Sequence, residues 1–243
     1  MRNTFDIKNL IHSFMIIFCV LLIFSMSLKN QNGVISYYDL IICSTTYAYT
    51  TIYLAIPYIF ICSNKNVFNN NYLVRFKSID GIWVSGCKNL FYWALENSAF
   101  FFISLRIIRF IVTDSFCNWK DTDSIFVRYT QYSLRIIPSI TEVIIPAIII
   151  VFLNILLIEL IVYLSYWYTG LYWTGYVLFI IVVFVPSLPI LDIEIQGLGL
   201  FYSDYCSDIC IVNVVMRRAC ILILLVGILF FAGLLKKKKD FCL

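Results

Sequence analysis

From Ile148 to Ile158 the chain reads Ile-Ile-Ile-Val-Phe-Leu-Asn-Ile-Leu-Leu-Ile, with Asn154 as its sole polar residue. Such a run does not alternate, as the strands of a membrane barrel do. It leaves no polar face either, so it suits a helix with apolar material all round, whose backbone groups are satisfied internally even in lipid. A spanning helix needs roughly 20 mostly apolar residues. The sequence supplies several runs of that length, at about His12–Leu28, Leu40–Cys62, Asn89–Ile111, Val143–Leu164, Leu171–Ile190 and Ala219–Leu235.

The expectation is therefore an all-α, polytopic integral membrane protein of about six transmembrane helices, with residues 1–243 as one transmembrane domain. Composition agrees: 13% of the residues are charged and mean hydropathy is +0.91, against about 25% charged in a soluble domain. Nothing between Ser27 and Gly33 reads as a cleavage site for a signal peptide, so the first run is expected to stay as a span. The nine cysteines fall mostly inside apolar runs without a Cys-x-x-Cys pair, which argues against zinc or redox work. Cys206 and Cys210, four apart in an expected outer loop, are a candidate bridge against which the geometric demands of a disulfide weigh.

An even number of spans puts both termini on one side. If that side is the cytoplasm, it receives ten of the 18 basic residues, including Arg75, Lys77, Lys88 and the run Lys236–Lys239. The expected location is the cell membrane with both termini cytoplasmic. The net charge of +4 reports orientation in the bilayer, and no nucleic-acid partner is expected. Pro57, Pro146, Pro186 and Pro189 are expected to kink or break spans.

Between the second and third runs lies Tyr72-Leu-Val-Arg75-Phe76-Lys77-Ser-Ile-Asp-Gly-Ile-Trp83-Val-Ser-Gly-Cys-Lys88. Phe76, Ile79 and Trp83 recur at three- and four-residue spacing with Arg75 and Lys77 off that stripe, the pattern of a helix resting among headgroups. Inside the expected spans, ionisable groups are few. Glu96 beside Asn97 in the third span and Glu159 beyond Asn154 in the fourth are read either as a polar path or as helix-packing contacts. Arg106 and Arg109 share one face near the end of the third span, where they reach headgroup phosphates or outer-loop acids. His12 has no second ligand nearby, and no nucleophile elbow, zinc helix or phosphate-binding loop is present. An enzyme is not expected.

Six spans, the basic loop after the second, a tight aromatic turn at Ser165–Trp173, a proline-broken fifth span and the long loop Leu191–Arg218 resemble the type 2 ATP-binding-cassette permeases of bacteria. Locally, Tyr72-Leu-Val-Arg75-Phe76-Lys77-Ser78 followed by Trp83 is similar to the stretch that leads into their third span. The resemblance implies a coupling surface around Arg75, Phe76, Lys77 and Trp83 for a separate cytoplasmic ATP-binding subunit. It also implies a second permease chain facing the first, and a re-entrant segment in Leu191–Arg218. ATP would bind the partner and this chain would need no cofactor; the cargo would be an amphipathic peptide, drug or lipid-like compound, exported by alternating access. The competing reading is a polytopic membrane protein of another class, either an ion-coupled carrier using Glu96 and Glu159 or a sensor or immunity protein.

Overall fold

Helix follows helix along the described part of the chain, which in this computed structural model comprises residues 7–46, 55–56, 58, 78–131, 137–184, 200–206 and 211–236. The helices are α1 (Ile7–Asn32), α2 (Tyr37–Thr46), α3 (Ile79–Val112), α4 (Ile125–Thr130), α5 (Ile140–Thr169), α6 (Tyr172–Phe184) and α7 (Ile211–Leu234), and a 3-10 turn at Tyr202–Tyr205 precedes α7. Among the described residues there is no strand, and a lone parallel bridge joins Ser36 to Ser115.

Among the described residues three helices are long and apolar enough to cross a membrane: α1 over Asn9–Asn32, α5 over Ile140–Thr169 and α7 over Asn213–Leu234. The all-α membrane class expected from the sequence thus holds at the level of three such helices, not six. Helix α3 has the length, at 34 residues, but carries Glu96, Asn97 and Ser98 in its middle and charged groups at both ends. Of the expected second and fifth spans, α2 and α6 describe 10 and 13 residues, and residues 47–54, 57, 59–62 and 185–190 lie outside the described residues.

Local chemistry sets the helix ends. Ser78 caps α3 by accepting a hydrogen bond from the Gly81 amide at 3.1 Å, and Asp80 sits in the positive first turn. Ser139 and Glu142 form a reciprocal capping box at the start of α5. Pro146 lies seven residues into α5, and the helix continues through it. Helix α5 is the hub of the packing: α2, α3, α6 and α7 lie against it, while α1 packs on the far part of α3.

Two expectations are corrected. The strip Tyr72–Lys88 is not a separate interfacial helix over its second half, because Ile79 to Lys88 form the first turns of α3, which starts ten residues before Asn89. The last helix starts at Ile211, not Ala219, so residues 211–216 are its first turns and belong to no re-entrant segment, and Arg217 and Arg218 lie within it. Residues 200–206 form the 3-10 turn, while 191–199 and 207–210 lie outside the described residues.

Candidate functional site

Near the middle of the bundle α3 and α5 bring together Glu96, Asn97 and Glu159. The Asn97 amide donates from Nδ2 to Glu159 Oε1 at 3.1 Å, and both side chains are sealed from solvent. Glu159 Oε2, Asn97 Oδ1 and both carboxyl oxygens of Glu96 are buried without a hydrogen-bond partner. Asn154 is also buried on α5, but five residues earlier it lies about 140° round the helix from Glu159. Three of the four interior polar residues singled out from the sequence therefore meet.

The electrostatic demand of this centre is large. An ion taken into a protein interior costs several kcal/mol even after relaxation, and a neighbouring carboxylate adds repulsion. Here the Asn97 amide serves Glu159 alone, and no donor meets Glu96. The ion pairs among the described residues, Lys29–Asp114 and Arg218–Asp204, lie toward one end of the bundle and do not reach it. Such a centre is costly to ionise.

At the opposite end, Trp83 is fully buried and so offers no face at the surface. Its indole stacks on Tyr163 at 5.0 Å, lies 5.3 Å from Trp167, and donates from Nε1 to the Phe230 carbonyl at 3.0 Å. The final carbonyls of a helix lack partners within it. In α7 they are met from α5: Trp167 Nε1 donates to Gly233 O at 3.0 Å and Tyr168 to Ala232 O at 2.7 Å. The Lys236 ammonium donates to Trp167 O and lies 5.6 Å from the centres of the Trp167 and Tyr168 rings. Glycine makes the fit possible: a Cβ on Gly86 would overlap the Tyr163 ring and one on Gly233 the Trp83 ring. Helices α3, α5 and α7 are thus clamped at one end. Arg75, Phe76 and Lys77 lie outside the described residues.

A third constellation, not anticipated from sequence, centres on Asp39 at the start of α2. Its buried carboxylate accepts from the Ser36 amide at 3.0 Å, the Ser36 hydroxyl at 2.6 Å, Trp119 Nε1 at 2.8 Å and the Tyr202 hydroxyl at 3.0 Å. Phe126 stacks on Trp119 at 4.6 Å, and Tyr129 on Tyr202 at 5.7 Å. Burial raises the Tyr202 hydroxyl well above its ordinary value, so it stays a donor. The adjoining Asp204 receives both guanidinium nitrogens of Arg218. This constellation is saturated and therefore structural, pinning two long connections onto α2. Cys206 donates to Tyr202 O at 3.5 Å, and Cys210 lies outside the described residues.

Among the described residues no three His, Cys, Asp or Glu side chains are placed to hold a metal. No family model, curated protein or solved structure matches this chain.

Proposed function

We propose that the chain is a membrane-spanning permease subunit of an ATP-driven exporter, working with a separate cytoplasmic ATP-binding subunit and a second permease chain. The observation that carries this reading is the Trp83 clamp. Lys77 immediately precedes the Ser78 cap of α3, and within two turns of that cap Trp83 is fastened to α5 and α7. A displacement applied to the basic strip would enter three helices at once, the mechanical requirement for rocking a bundle between inward and outward openings. A path rich in Phe, Tyr and Ile, residues abundant in this chain, would suit amphipathic cargo. The test is co-purification: the full chain should bring down an ATP-binding protein from its native membrane, and Arg75→Glu with Lys77→Glu should release that protein while the helix content is kept. Loss of no partner in the charge-reversed chain overturns the reading.

A second reading, an ion-coupled carrier, is favoured by the Glu96–Asn97–Glu159 centre, whose buried carboxyl groups keep unpartnered oxygens. It requires no ATP-binding partner. In proteoliposomes containing this chain alone, an imposed ion gradient would drive uptake in the wild type and not in Glu96→Gln or Glu159→Gln. A sensor or immunity protein would show neither behaviour.

A further inference from the structure

We propose that Arg106 and Arg109, at the end of α3 remote from the Trp83 clamp, form a binding site for the phosphate of an anionic phospholipid. The Arg109 guanidinium is enclosed by aromatic rings, 4.4 Å from the centre of Phe116, 5.0 Å from Tyr37 and 5.7 Å from Phe110. Stacking occupies the faces of the guanidinium and leaves its N–H edges to an acceptor in its plane. The backbone segments that carry Tyr37 and Phe116 are tied together, since the Tyr37 and Tyr38 amides donate to the Ser115 and Phe116 carbonyls at 3.1 and 3.3 Å.

The nearby acid is already engaged. Asp114 pairs with Lys29 at 3.1 Å, and the same ammonium donates to Val112 O at 2.8 Å. Among the described residues neither Arg106 nor Arg109 has a carboxylate partner. Two guanidinium groups one helical turn apart thus present unpaired donors at the end of a long helix.

The surface around Arg106 indicates the kind of molecule that brings the acceptor. Ile103, Ile107 and Phe110 flank it at three- and four-residue spacing and are all exposed, Phe110 by 78%. A free anion would leave that apolar stripe bare, and an acidic peptide would set polar backbone against it. A phospholipid matches both halves, with its phosphate in the arginine fork and an acyl chain along the stripe.

This inference rests on the chain being inserted in a bilayer, which resistance to alkaline carbonate extraction tests separately; release by carbonate would overturn both. The full chain, purified in detergent, is titrated with dioleoyl phosphatidylglycerol, with dioleoyl phosphatidylcholine and with inorganic phosphate, and retained lipid is counted by native mass spectrometry. Wild-type protein should retain phosphatidylglycerol in preference to phosphatidylcholine. Arg106→Gln with Arg109→Gln should weaken that retention about tenfold or more, as expected when charge-assisted hydrogen bonds are lost. Arg109→Lys, which keeps the charge and loses the planar fork, should weaken it as well. Should the double variant fail to fold, Arg106→Gln, at an exposed position, carries the comparison alone. Equal retention by wild type and variants overturns the proposal, as does protection by inorganic phosphate equal to that by the lipid.

Discussion

The hydrogen bond from Asn97 to Glu159 provides a direct measurement of how the interior centre is charged. Hydrogen bonds between membrane helices average about 0.6 kcal/mol and reach about 1.7 at most, whereas a donor serving an ionised group is worth roughly 1.5–3 kcal/mol. The geometry is favourable, at 3.1 Å with both partners sealed, so burial does not dilute the difference. A double-mutant cycle with Asn97→Ala and Glu159→Ala, read from unfolding of reconstituted protein, should give a coupling above about 1 kcal/mol, at the upper end of the membrane range. Glu159→Gln keeps an oxygen acceptor for the Asn97 amide in a side chain of the same shape. It should therefore leave stability within about 0.5 kcal/mol of wild type. A coupling near zero would refute the reasoning, as would a loss in Glu159→Gln as large as in Glu159→Ala.

At the clamp, Gly233→Ala drives a methyl into the buried Trp83 ring and should cost about 1–3 kcal/mol by overpacking, measured by the same unfolding assay. Trp83→Phe removes one indole donor and should cost about 1 kcal/mol. Asp39→Ala strands the Ser36, Trp119 and Tyr202 donors in the interior and should cost more than about 3 kcal/mol; a smaller loss would mean that water reaches them. For orientation, a membrane-impermeant thiol reagent applied outside intact cells should label Cys117 and spare Cys242, and labelling of Cys117 only after permeabilisation would contradict the expected topology.

The sequence made the long apolar helices legible because apolar runs have one physical solution in lipid, and they stand in α1, α5 and α7. It also located the interior centre, since Glu96 and Glu159 stand out against an oily background. What it hid was direction. Phe76, Ile79 and Trp83 make an apolar stripe whether they meet headgroups or other helices, and only the neighbours decide. Trp83 turned inward because Gly86 and Gly233 leave room for rings to approach. Arg217 and Arg218 read as loop residues by charge, yet both lie within α7, where Arg218 pairs with Asp204. Asp39 was invisible for a related reason: its partners Trp119 and Tyr202 stand 80 and 163 residues away, beyond any local pattern.

That separation along the chain orders events in time. A ribosome adding 5–20 residues per second reaches Trp119 about 4–16 s after Asp39, and Tyr202, 163 residues on, about 8–33 s after it. Until Trp119 is made the carboxylate of Asp39 has only Ser36 to serve it, and until Tyr202 follows it still lacks one of its donors. Closure around Asp39 is accordingly a late step of assembly. A nascent chain halted before Tyr202 would leave the carboxylate of Asp39 short of one donor.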